Sequence, residues 1–262
     1  MNDIEVRAKP DSVEGVSGML LRHGDKFGIM YATHIRSDGF QNFSIAHELG
    51  HYFLDGHIDQ ILPKDGIHQS RAGFVEKDTY ELEADHFAAG LLMPERPFRR
   101  VMGRVEPGLD AIRELSDACE TSLEATAIRY AEVTDDAVAV ILSTGTRINY
   151  CSLSDQVKSL PNLDWLRPGS EVPKGTGTFH FNRTIDRVQK AESDHCEIDL
   201  QDWLSGDRSI PASEEFIGLG RYGKTLTVVS CPSVKEDAYF DETEDELSDE
   251  EMMDRWVPKF RR

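Results

Sequence analysis

Two histidines four residues apart, His47 and His51, enclose Glu48 in the run HELGH, an H-E-x-x-H pattern. In a helix, positions i and i+4 share one face, about 5–6 Å apart at Cβ. Two neutral imidazoles so placed can grip one zinc ion, at about 2.0–2.1 Å from each nitrogen. Glu48 follows the first histidine directly, so it would stand beside such a metal without being needed as a ligand. That is the place for a general base acting on water. The chemistry needs a helix beneath it. NFSIAHELGHYFL, Asn42 to Leu54, reads as one, with SDG before it and Asp55-Gly56 as a stop. The rest of the segment is largely apolar, through Phe43, Ile45, Ala46, Leu49 and Phe53. Polar side chains in so apolar a setting are costly without partners, and a metal supplies one.

A catalytic zinc usually takes three protein ligands and leaves its fourth position to water. Glu81 is the leading candidate for the third. It lies in a second helical stretch, TYELEADHFAAGLL from Thr79 to Leu92, closed by Met93-Pro94. Asp85, four residues on, shares its face and suits a hydrogen bond to the outer nitrogen of a ligand histidine. His57 is a rival, six residues after His51, the spacing of zincins with three histidine ligands. Those also need a glycine three residues after the second histidine, where this chain has Leu54. Without a metal role, His57 reads as an exposed loop residue past a helix end. Glu83 is a further option. His68 and Tyr80 are candidates to stabilise an oxyanion, against the plainer reading of surface or packing residues.

The run AHELGH followed by RAGFVEKDTYELEADHFAAGLLMP resembles the ImmA/IrrE family of metallopeptidases, over about residues 15–96. The family's second signature, E-x-x-A-[ND]-x-F-A-x-x-L-L-M-P, is met by Glu81, Ala84, Asp85, Phe87, Ala88, Leu91, Leu92, Met93 and Pro94. The resemblance implies His47, His51 and Glu81 as ligands of one Zn2+ per chain, with another divalent metal such as Mn2+ as a substitute. It implies Glu48 as the base of a gluzincin-like peptide-bond hydrolase. The substrate it implies is a DNA-binding repressor of the helix-turn-helix type, whose loss would derepress stress-response or mobile-element genes. Only about forty residues precede the motif, so a DNA-binding domain is expected on a separate protein.

The net charge of −19 argues against direct nucleic-acid binding, which needs clustered Lys and Arg. The N-terminus MNDIEVRAKPD has no apolar signal-peptide core, and no apolar run approaches the ~20 residues of a membrane span. Cys119, Cys151, Cys196 and Cys231 are scattered, without a C-x-x-C, and read as free thiols. A cytoplasmic enzyme is the expectation.

The fold class expected is α+β. Residues 1–96 form a zincin-like metallopeptidase domain, including a hairpin over 17–34 and a polar loop over 55–74. Residues 97–135 form a short helical, helix-turn-helix-like module whose acidic second helix suits packing better than a DNA groove. Residues 136–235 form a β-rich domain, with AVAVILST, GKTLTVVSC and GTFHFN as strands; its layout resembles the GAF-like regulatory domain of some family members. Residues 236–262 are an acidic tail with a basic end, eleven acids and no base falling in 236–254. The alternative to a protease is a non-catalytic zinc-containing binding module that sequesters a repressor. Against it, a structural zinc prefers four ligands, often Cys, and has no use for Glu48.

Overall fold

The structure, a computed structural model, describes all residues except 1–3, 10–15, 35–36, 63–64, 72–77, 207, 233 and 235–262. The acidic tail therefore lies outside the described residues. Mixed helix and sheet run through the rest, an α+β fold with two separate sheets.

The first sheet carries β1 (Ile4–Lys9), β2 (Val16–His23) and β3 (Lys26–Ala32). β2 and β3 form the expected hairpin, turning at Gly24 with φ +59°. Helix α1 (Asp38–Phe53) follows, started by Ser37, whose hydroxyl accepts from Phe40 N. The chain then leaves the helix through Leu54, and α2 (His57–Ile61) begins after Gly56, whose φ is +81°. Next comes β4 (Asp65–Arg71), which pairs antiparallel with β2. The sheet order is β1-β3-β2-β4, with β4 at one edge. The expected polar loop over 55–74 thus contains a helix and a strand. Its alternation of polar residues carries little hydrophobic signal because β4 has Ile67 exposed and His68 turned toward the site rather than a core. Leu20, Ile29 and Leu62 form the buried centre between this sheet and α1–α2.

α3 (Thr79–Leu92) opens on Asp78, whose carboxylate accepts from Tyr80 N at 2.9 Å. It ends at Met93, before Pro94 and the amphipathic α4 (Glu95–Met102). α5 (Leu109–Cys119) and α6 (Leu123–Val133) make the helical pair. They turn at Glu120, with φ 51°, and the Asn42 side chain of α1 donates to the Glu120 carbonyl. This turn is docked on α1, which suits packing and leaves it a poor groove reader.

The second sheet contains β5 (Val138–Thr144) and β6 (Arg147–Leu153). After α7 (Asp155–Lys158), α8 (Gly177–Asn182) and α9 (Ile185–Gln189) come β7 (Ser193–Asp199), α10 (Gln201–Leu204), β8 (Pro211–Gly218) and β9 (Lys224–Ser230). All its pairings are antiparallel, in the order β6-β5-β9-β8-β7. β5 is an unbroken apolar run because both its faces are covered. Val138, Val140 and Leu142 pack with α5 and α6, and Ala139 and Ile141 pack with α7 and α10. The segment GTFHFN, expected as a strand, is helix α8. Thr176 caps it by accepting from Phe179 N, and the buried Glu214 carboxylate takes the Gly177 and Thr178 N–H groups. The local Thr176 cap and the long-range Glu214 bonds together outweigh its alternating aromatics. Met93, Phe98, Ile112, Leu115 and Tyr130 share one core with Val140, Leu226 and Val228, so the helical stretch and the second sheet are packed as one body.

Candidate metal centre

His47 and His51 lie on the buried face of α1, and Glu81 lies in the first turn of α3. Gly50, between the histidines, is what lets the helices approach. A Cβ at position 50 would stand 3.1 Å from Ala84 Cα and 3.2 Å from its carbonyl oxygen. With the backbones this close, a glutamate side chain spans the gap. His47 Nε2 is 3.0 Å from His51 Nε2 and 3.1 Å from Glu81 Oε2, and His51 Nε2 is 3.3 Å from Glu81 Oε1. Ligand atoms around a tetrahedral zinc stand about 3.3 Å apart. The three residues thus offer one converging atom each, at the separation a small cation needs, and could hold a metal ion.

The charges agree with a cation there. Burial works against a protonated His47, but its hydrogen bonds to Asp85 and Glu81 prevail and raise its pKa to about 9. Burial would also raise Glu81, yet contacts with His47, His51 and His68 hold it well below the usual carboxylate range. His51 is lowered, first by burial and further by His47, with Glu81 opposing. A negative field converges on the two imidazole nitrogens, and a proton on His47 takes the place of a metal's charge.

Glu48 is fully buried beside this triangle. Neither of its carboxylate oxygens has a hydrogen-bond partner of good geometry among the described residues. Burial raises its pKa to about 7; the nearby Ser70 hydroxyl and the imidazoles of His47 and His68 pull it down. An orphaned buried carboxylate is expensive and calls for a partner, such as a water or a substrate proton.

The outer nitrogens of both histidines are occupied. His47 Nδ1 is 2.8 Å from Asp85 Oδ1, as the i+4 spacing from Glu81 predicts. His51 Nδ1 is 3.1 Å from His57 Nδ1, and His57 Nε2 is 2.9 Å from Glu83 Oε2. His57 is therefore neither an exposed loop residue nor part of the converging triangle. It is fully buried at the start of α2, with both ring nitrogens engaged elsewhere. Glu83 contacts His57 and likewise stands outside the triangle. His68 reaches the site from β4, with Nε2 3.1 Å from Glu81 Oε1 and its ring edge-on to His51. Tyr80 lies edge-on against His57, ring centroids 5.0 Å apart.

A peptidase family described as the IrrE N-terminal-like domain matches residues 2–130. These residues belong to the ImmA/IrrE family. The match takes in both signature helices and runs through most of α6. No curated protein sequence matches the chain. Among solved structures, a Mycobacterium tuberculosis transcriptional regulator aligns with a TM-score of 0.54 and 15% identity, covering 94% of this chain and 82% of that one. At that identity the likeness concerns the fold alone, but it spans both halves of the molecule. Within the ImmA/IrrE domain of this chain, sequence reading gave no role to Gly18 or to the His57–Glu83 contact. Gly18 had a signal, since an isolated glycine inside a strand pattern marks a close approach. The contact had none, because its partners sit 26 residues apart on different helices.

Proposed function

We propose that the chain is a zinc-dependent, site-specific endopeptidase of the cytoplasm, whose substrate is a helix-turn-helix transcriptional repressor. The observation that carries the reading is Glu48, a buried carboxylate without a partner beside three converging ligand atoms. A structural metal site has no use for such a group, whereas a hydrolytic site needs a base.

Zinc, when bound, supplies a Lewis acid that polarises a carbonyl and makes water acidic. His47, His51 and Glu81 would hold it, and Asp85 fixes the His47 tautomer by accepting its Nδ1 proton. Glu48, with a pKa near neutrality, accepts a proton at its carboxylate and returns it to the leaving amine. His68, on the edge strand, is placed to donate from Nε2 toward negative charge developing beside Glu81. Tyr80 packs on His57 and serves the frame of the site. The outer edge of β4 carries no strand partner among the described residues. An extended polypeptide can add there and lie across the site, with main-chain bonds holding it and side-chain pockets selecting it.

The regulatory side rests on thinner support. The structurally similar Mycobacterium tuberculosis protein is called a transcriptional regulator, which is in keeping with a target in transcription. The net charge of −19 and the docked α5–α6 turn speak for a protein partner rather than DNA. The second sheet would regulate or position the protease. Incubating the purified protein and its Glu48→Gln variant with helix-turn-helix repressors, with and without chelator, tests the whole reading. One mapped cut that chelator and variant both abolish is expected. Cutting by the Glu48→Gln variant at the wild-type rate would refute it.

A further inference from the structure

Behind the metal triangle the two histidine ligands are supported differently. His47 leans on a single carboxylate, Asp85. His51 leans on a second imidazole, His57, which in turn leans on Glu83. We infer that His57 and Glu83 form a positioning relay that sets the tautomer and orientation of His51 for metal binding. The inference rests on the metal-site reading of His47, His51 and Glu81.

With both imidazoles neutral, the hydrogen-bond logic has one solution. Nε2 of His51 faces the triangle, so it must be free of its proton to act as a ligand. The proton of His51 is then on Nδ1, which donates to Nδ1 of His57. His57 accepts there, so its own proton is on Nε2 and is donated to a Glu83 oxygen. Every donor meets an acceptor, and the chain of bonds runs outward from the site to a carboxylate whose side chain is 52% exposed. In the opposite arrangement, His57 would present N–H to His51 Nδ1 and would force the proton of His51 onto the ligand nitrogen. For a neutral His57, which carries a single N–H, Glu83 prevents this by requiring the donor at Nε2. The carboxylate also makes His57 a stronger acceptor for His51, which raises the electron density offered at the ligand nitrogen. The elements hold the relay in place. Tyr80 packs edge-on against the His57 ring, and Gly56, in the left-handed region, turns the chain so that His57 points back beneath His51.

The relay is tested on the full chain by zinc competition against a chromophoric chelator at fixed pH, together with thermal melting of the metal-free protein. Glu83→Ala should weaken zinc binding, and His57→Phe should weaken it more, within the roughly 10–100-fold range of outer-sphere substitutions. Glu83→Gln keeps an acceptor oxygen and should recover much of the Glu83→Ala loss. The metal-free melting midpoint of Glu83→Ala should stay at the wild-type value, because that side chain is half exposed, whereas a purely structural role would move the midpoint and leave affinity unchanged. Wild-type zinc affinity in both Glu83→Ala and His57→Phe would overturn the relay while leaving the metal site intact. A wild-type protein that binds no zinc would overturn the metal-site reading and the relay with it.

Discussion

Gly18 in β2 faces Glu48 in α1 with no room between them. A methyl group at position 18 would stand 2.5 Å from Oε1 and 3.0 Å from Cγ of the glutamate. The strand backbone therefore forms one wall of the niche in which the carboxylate sits. Gly18→Ala should displace Glu48 while leaving the three ligand residues where they are. Stoichiometric zinc with peptide cleavage lowered on the order of 100-fold is the expected outcome. Elemental analysis beside a cleavage assay measures both, and unimpaired cleavage would show that Glu48 needs no such wall.

Glu48→Gln removes the proton acceptor and keeps the shape. Cleavage should fall by a factor on the order of 100 or more, with zinc content unchanged. The metal-free variant should also melt no lower than wild type above pH 7, because it no longer buries a charge without a partner. A clear drop in melting temperature would mean that the carboxylate has a structural partner.

Glu81 and its neighbour Asp85 should separate by degree. Glu81→Ala deletes one corner of the triangle and should abolish tight zinc binding. Asp85→Ala leaves the triangle complete and removes the Nδ1 partner of His47, so the loss should be about 10–100-fold. Zinc titration of the two variants decides the order, and equal losses would refute it.

The helical part of this site was legible in the sequence because its geometry is periodic. His47, His51, Glu81 and Asp85 all follow from i+4 spacing on two helices, and Asp85 indeed meets His47 at 2.8 Å. What is set by the meeting of separate elements was not legible. His57 read as exposed because nothing local shows that α2 folds back under His51. β4 read as loop because its one large apolar residue, Ile67, faces outward, and its inward residues, His68 and Ser70, serve the site instead of a core. GTFHFN read as a strand because the capping carboxylate, Glu214, comes 36 residues later.

Protonation of the metal-free protein gives a signed prediction. The pKa of His47 is raised from 6.5 to about 9, so its stabilising contribution is complete below pH 6.5 and is lost as pH rises through 9. Glu48, raised from 4.5 to about 7, acts in the same direction at lower pH. The lowered His51 opposes them only below its unperturbed value of 6.5, and Glu81 acts in acid. The metal-free melting midpoint should therefore fall between pH 7 and pH 9. Asp85→Asn should flatten that slope, since it removes the strongest support of the His47 proton. A wild-type midpoint that is constant or rises over this interval would contradict the assignment.

A chain cut after Val133 would keep His47, His51 and Glu81 and lose the sheet beneath α5 and α6. Ile112, Leu115, Tyr130 and Ala131 would be stripped of Val138, Val140, Leu226 and Val228. Such a truncation should aggregate or bind a hydrophobic dye. A monomeric, cooperatively melting product in size-exclusion and calorimetric runs would show that the helices are stable without the sheet.

The contact of Gly50 with Ala84 also acts as a gauge of ionic size. Because Gly50 meets the Ala84 backbone and the Phe87 Cβ there, α1 and α3 have little slack to take up. The spacing of the two helices that carry His47, His51 and Glu81 is thus set at the backbone, before any side-chain rotamer adjusts. An ion such as Ca2+, which wants 6–8 oxygen ligands at about 2.3–2.6 Å, would have to pry two packed helices apart and would find two nitrogens where it needs oxygens. If the site holds zinc, discrimination against hard cations would in this way be built into a glycine that lies outside the triangle.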